Sequence, residues 1–169
     1  QAAVDIRPLW PDYLTESDFE HDFPYNLKLK AHQGPKAKKT DEMETYYSVT
    51  YPIKAQSVKF ITAIILKDSP TSKNIPQVTR LKGDDLQGVR IAKGDKITDV
   101  YLNTRADGHI MHRNSCTNVN GWDTDAYLLA FSYKKGTDPA VSKNILEWFI
   151  GYGSYVRNAH ESIFDSYTK

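Results

Sequence analysis

The chain has 169 residues, 40% hydrophobic and 12% aromatic, and its 22 Lys and Arg against 21 Asp and Glu leave a formal net charge of +1. That length fits one domain able to bury roughly 68–70% of its unfolded surface. The apolar content argues against disorder, the near-neutral charge against a strong general pull on nucleic acid, and the lack of any run of roughly 18 apolar residues against a membrane-spanning helix. Neither nucleic acid nor membrane is therefore expected as a partner.

The chain opens on Gln1 rather than Met, which reads as a processed or partial product whose signal peptide would already be gone. Cys116 is the single cysteine, so neither an intrachain disulfide nor a thiolate metal cluster is available. With no Asn-x-Ser/Thr acceptor either, a bacterial origin suits the chain.

Residues 1–25 are dotted with proline and aromatic residues (Pro8, Trp10, Pro11, Phe23, Pro24) and read as an irregular lead-in. Residues 26–31 form a short strand candidate, followed by a loop from His32 to about Thr40. Met43, Thr45, Tyr47, Val49 and Tyr51 then alternate with Glu44, Tyr46, Ser48 and Thr50, a period of two that Pro52 ends. Ser57–Leu66 is apolar on both faces and predicts a central strand covered on both sides.

Short strands are expected at Gln77–Leu81, Gly88–Ala92 and Lys96–Thr104, separated by Gly83-Asp84-Asp85 and Lys93-Gly94-Asp95. Thr98–Arg105 and Asp123–Tyr133 read as strands flanking a polar segment, which opens on an Asp107-Gly108 turn. Asn144–Tyr155 is the ambiguous stretch. Ile145, Trp148, Phe149 and Tyr152 have helical spacing, but Gly151 and Gly153 would each weaken a helix by about 1 kcal/mol relative to Ala. Strands are the better expectation, with Asn158-Ala159-His160 turning the chain toward Ile163-Phe164. Regular turn signals between β-branched runs predict an all-β antiparallel β-sandwich, a single domain over residues 1–169 with the sandwich at 26–169.

Several clusters invite chemistry. The Lys28–Lys39 stretch carries five lysines and could attract sulfate or carboxylate groups, or be a solvated loop. His109 and His112 suggest a metal, yet residues three apart on a strand face opposite sides. No metal or other cofactor is expected. Arg113 offers a planar fork for a carboxylate, Asn114, Asn118 and Asn120 offer donors and acceptors for hydroxyls, and Trp122 could stack on a sugar ring. The competing reading makes the asparagines loop-shaping residues and Trp122 core. Asp123 and Asp125 share a strand face, and no nucleophile elbow, P-loop or His-Glu-x-x-His motif is present.

Three stretches carry a family resemblance: Ser57–Leu66 (SVKFITAIIL), Arg105–Ser115 (RADGHIMHRNS) and Gly153–Ser166 (GSYVRNAHESIFDS). With the pattern around them, about residues 43–166, they resemble the C-terminal β-sandwich region of heparinase II/III-type polysaccharide lyases. The match lies in strand and turn pattern and includes no catalytic signature. The resemblance implies a part in β-elimination of uronic-acid polysaccharides, such as glycosaminoglycans or alginate. There a carboxylate is neutralised, a Tyr or His base removes the C5 proton, and a double bond forms as the glycosidic bond breaks.

In that family an α/α-toroid supplies most catalytic residues, and a His-rich first part of the β domain supplies others, with a metal in some members. This chain has no helical toroid and no His-x-His pair, so no catalytic residue carries over, and the chain alone is expected to be inactive. The expectation is a non-catalytic part of a secreted or periplasmic lyase, completing its core and substrate cleft. Its partners would be an acidic polysaccharide and a helical catalytic domain or chain. Expected substrate contacts are Arg105, His109, His112, Arg113, Asn114 and Trp122. A free-standing carbohydrate-binding module and a structural interaction domain are the alternatives.

Overall fold

The structure, a computed structural model, describes residues 2–10, 28–36, 43–50, 60–105 and 116–166. The chain divides into two compact units, Gln1–Leu9 with Ile61–Lys169, and Trp10–Phe60. No α-helix occurs among the described residues, and the defined strand pairings are antiparallel, so the chain is all-β as its turn spacing predicts.

Ala3–Trp10 forms strand β1, where an irregular lead-in was expected. Pro8 lacks an N–H, which a strand tolerates at an edge. In the smaller unit, β2 (Lys28–Lys36) pairs with β3 (Met43–Thr50), with a register shift between Gln33 and Lys36. The expected loop at His32 is thus strand as far as Lys36, because the bulge accommodates Gly34 and Pro35 without ending the pairing. His32 Nε2 lies 2.8 Å from Ser48 Oγ across this pair.

In the larger unit, β4 (Ile61–Lys67) pairs with β1 in a two-stranded sheet. Asp5 Oδ2 takes ion pairs from Arg7 (3.0 Å) and Lys67 (3.2 Å). The Asp5–Lys67 contact puts those side chains on one face, so Val4, Ile6, Ile64 and Leu66 share the other. That second face is open, with Ile64 66% and Leu66 78% exposed, while Ile65 behind them is buried. The expected central strand, covered on both sides, is therefore corrected to a strand covered on one side only.

Strands β5 (Gln77–Gly83), β6 (Leu86–Lys93) and β7 (Lys96–Asn103) form a meander through two-residue turns. The chain then reaches a short hairpin, β8 (Thr117–Val119) and β9 (Trp122–Thr124). It returns as β10 (Leu128–Lys134) beside β7, and β11 (Ile145–Gly151) adds the sheet edge. Strands β12 (Tyr155–Arg157) and β13 (Ser162–Asp165) complete a second sheet with β9 and β8. The strand order is β11-β10-β7-β6-β5 in the first sheet and β13-β12-β9-β8 in the second.

The single strand expected over Asp123–Tyr133 is thus two strands in different sheets. The break has a local cause: Asp125 accepts the backbone N–H groups of Ser154 (2.7 Å) and Tyr155 (3.2 Å), and the Ser154 hydroxyl. Gly153 lies so close to Ala126 that an added Cβ would sit 2.7 Å away. The glycines of the ambiguous C-terminal stretch therefore permit close approach of two connections beside strand β11, and the strand expectation there holds.

Between the two sheets lies the core. Tyr101, Leu129, Phe131 and Tyr133 project from the five-stranded sheet, and Val119, Trp122 and Val156 meet them from the four-stranded one. Trp148 of β11 reaches Phe164 of β13, with ring centroids 6.0 Å apart. Burying such large apolar side chains contributes about 1.5–3 kcal/mol each, which makes this sandwich-like interior the main source of stability. Phe131→Ala is expected to cost about 3–5 kcal/mol in urea unfolding; a loss below about 1 kcal/mol would contradict its central place.

Candidate functional site

Of the six residues expected to touch substrate, His109, His112, Arg113 and Asn114 lie outside the described residues. Arg105 follows β7, with its side chain 55% exposed and its Nε 2.8 Å from Asp85 Oδ1. Its backbone N–H donates to Asn103 Oδ1 (2.9 Å). Trp122 has no exposed surface, and its indole Nε1 donates to the Pro139 carbonyl at 2.8 Å. Its ring faces are occupied by the core, so stacking on a sugar is corrected to a packing role. The buried position follows from β9 turning its first residue toward the other sheet.

A different constellation stands at one end of the sandwich. Arg90 of β6 and Asp99 of β7 are directly opposed in register. Their pairing is bidentate, with Nε to Oδ1 and Nη2 to Oδ2 both at 2.8 Å. Tyr133 donates to Asp99 Oδ2 at 2.8 Å and accepts from Arg90 Nη2 at 3.0 Å. Tyr101 donates to the same carboxylate oxygen at 3.1 Å. From the opposite sheet, Asn120 Nδ2 donates to Tyr101 Oη (2.7 Å) and to Asp99 Oδ2 (3.3 Å).

Asn120 reaches this cluster because of its turn. Val119 pairs with Trp122, leaving Asn120-Gly121 as a two-residue loop. Their φ values, 49° and 85°, are both in the left-handed region. That is the type I′ hairpin geometry, which Asn-Gly adopts readily. The loop-shaping reading of the asparagines thus holds for Asn120, and the same turn also aims its amide inward.

Asp99 has no exposed surface. Burial alone would raise its pKa, but hydrogen bonds from Arg90 and Tyr133, the Arg90 charge and Asn120 outweigh it and hold the carboxyl below its usual value. The same contacts raise the Arg90 pKa, hydrogen bonding to Asp99 outweighing desolvation. Burial and the Asp99 charge push the Tyr133 hydroxyl up to about 12 and the Tyr101 hydroxyl higher still. The cluster is therefore a fixed ion pair carrying two neutral phenols at physiological pH.

Arg90, Tyr133, Asn120 and Ile97 line a pocket of about 530 Å³, walled on the other side by Gly136–Ala140. That volume is in the range of small-molecule sites. The wall is fixed by the Trp122 bond to Pro139 and by Gly121, where an added Cβ would sit 2.8 Å from Ala140 Cβ. Among the described residues no group of three or more His, Cys, Asp or Glu is placed to hold a metal ion. Elsewhere, Cys116 is exposed beside Tyr155, whose hydroxyl is raised first by burial and then by that neighbour.

Comparison with known proteins adds no relative: no family model, no curated protein and no solved structure matches the chain.

Asp99→Asn keeps the shape and removes the charge facing Arg90, so it is expected to cost about 3 kcal/mol in denaturant unfolding at pH 7. The pH dependence follows from the directions of shift. Asp99 ionises more readily in the fold, so its contribution is complete above its usual value of 3.8 and is lost as pH falls through the lower folded value. Tyr133 is held neutral in the fold, so its contribution is complete below pH 10.0 and is lost as pH rises toward about 12. Stability measured against pH should show both limbs, and Asp99→Asn should flatten the acid one; an unchanged acid limb would contradict the assignment.

Proposed function

We propose that the chain is the non-catalytic β-sandwich portion of a uronic-acid polysaccharide lyase, docked on a helical catalytic domain or chain and completing one wall of its substrate cleft. The class comes from the resemblance carried by Ser57–Leu66, Arg105–Ser115 and Gly153–Ser166. The observation that supports a docked role is the apolar surface left open. On the β1–β4 pair, Val4, Ile6, Ile64 and Leu66 are all more than half exposed on one face. Contiguous apolar surface of this kind marks interaction sites in soluble proteins, and an isolated two-stranded pair is marginal without something to pack on.

Secretion or periplasmic export belongs to this reading, since extracellular acidic polysaccharide is the substrate. A free-standing carbohydrate-binding module is the second reading, favoured by the pocket beside Arg90. It differs in needing no partner to retain glycan.

Reconstitution tests the first reading. The chain is combined with its helical catalytic domain, on one polypeptide or as a second chain, and unsaturated uronate is followed by ultraviolet absorbance on alginate, heparin and chondroitin. Lysine at both Ile64 and Leu66 is expected to lower turnover by at least about tenfold, while each exposed substitution changes the chain's own stability by within about 0.5 kcal/mol. Unchanged turnover in that variant, or no unsaturated product from any of the three polymers, rejects the reading.

A further inference from the structure

The Arg90 guanidinium is clamped on one edge and open on the other. Its Nε and Nη2 are spent on Asp99 and Tyr133, and Nη1 has no protein acceptor among the described residues. The side chain is 38% exposed and lines the pocket. A fork fixed in this way loses little freedom when it binds, which is the advantage of preorganisation.

Two acceptors stand on the same pocket. Asn120 uses its Nδ2 inside the cluster, and its Oδ1 carries no hydrogen bond. Asp138 accepts the Ala140 N–H on Oδ1 (2.9 Å), and its Oδ2 is open. Ile97, Pro139 and Ala140 supply apolar wall. The exposed Lys134 and Lys135 follow Tyr133 directly, placing further positive charge at this end of the sheet.

The set calls for a ligand with an anionic acceptor and hydroxyl donors on one small frame. We propose that this pocket binds a carboxylate-bearing sugar unit of an acidic polysaccharide, with its carboxylate on Arg90 Nη1 and neighbouring hydroxyls donating to Asn120 and Asp138. An acidic peptide offers those two acceptors only backbone N–H groups, and a simple anion such as sulfate offers no donor at all. A neutral sugar forgoes the charge-assisted bond, which is roughly twice as strong as a neutral one. Asp138 also orients the ring, since it repels the carboxylate and accepts a hydroxyl. The substrate class rests on the lyase reading above, whereas the site itself needs no catalytic partner.

Calorimetric titration of the full chain tests the site with manno-, galacto- and gluco-hexuronate trisaccharides, their neutral counterparts and an acidic tripeptide. Two variants report on the pocket. Arg90→Lys keeps a positive charge opposite Asp99 but loses the fork, and Thr137→Phe fills the pocket from its surface turn without touching the ion pair. At least one hexuronate trisaccharide is expected to bind in a salt-sensitive manner, at least about tenfold more tightly than its neutral counterpart. Both variants are expected to weaken it by a similar factor, with Thr137→Phe deciding the matter if Arg90→Lys fails to fold.

If the wild type binds an acidic sugar and the folded variants bind it equally well, the pocket is rejected and the lyase reading stands. If no trisaccharide binds, the pocket is rejected and the reconstitution experiment alone judges the lyase reading. If the acidic tripeptide binds as tightly as the trisaccharides, a protein partner replaces the sugar and the proposal is overturned.

Discussion

A carboxylate taken wholly out of water has to be paired, and the larger unit is organised around that requirement at Asp99. Desolvating the charge costs several kcal/mol unless hydrogen bonds and an opposite charge replace the lost water. Arg90 supplies the charge, and Tyr133, Tyr101 and Asn120 supply the remaining donors. The donors come from β6, β7, β10 and the β8–β9 turn, so satisfying one carboxylate ties two sheets together. A one-residue slip of β6 against β7 would send Arg90 to the other face and leave Asp99 stranded. The ion pair adds little net stability over an apolar substitute; its effect is to make the wrong registers costly.

The pocket follows from the same constraint. Asn120 can reach Asp99 only from the left-handed turn it shares with Gly121. That turn sets Trp122 into the core, and the indole N–H holds Pro139 in place as part of the pocket wall. The chain thus builds a concavity with an anchored guanidinium in its lining, using bonds whose first role is structural. The apolar face of the β1–β4 pair lies outside this arrangement, so the proposed docking face and the proposed ligand pocket use different residues of the same unit.

Much of the strand pattern was legible because it rests on local chemistry. The turns at Asp84-Asp85 and Gly94-Asp95 punctuate the meander where expected, and the glycines at 151 and 153 point away from a helix. The site was harder to see. In β7, Val100 and Leu102 are apolar and Asp99 is charged, so alternation alone suggests that Asp99 faces water. The fold takes the opposite phase, with Ile97, Asp99, Tyr101 and Asn103 turned inward. Arg90 gave the only hint, a lone cation in the middle of an otherwise uncharged strand interior, and its register partner could not be known before the strands were paired.

Ser57–Leu66 and Trp122 carry the same lesson in opposite directions. Apolarity on both faces suggested a covered central strand, yet the observed strand leaves one face open. A tryptophan in a polar stretch suggested a sugar platform, yet it is among the most buried residues of the core. By itself the sequence determined the all-β class, the turn positions and the strand character of the C-terminal stretch, since these depend on backbone preferences and on a side-chain period of two. Only the tertiary structure decided which face of each strand is buried, that Asp125 sends the chain from one sheet to the other, and that Arg90, Asp99, Tyr101, Asn120 and Tyr133 meet. Apart from the Tyr101–Asp99 bond, those outcomes depend on pairing between residues 9 to 43 positions apart, which no local pattern encodes.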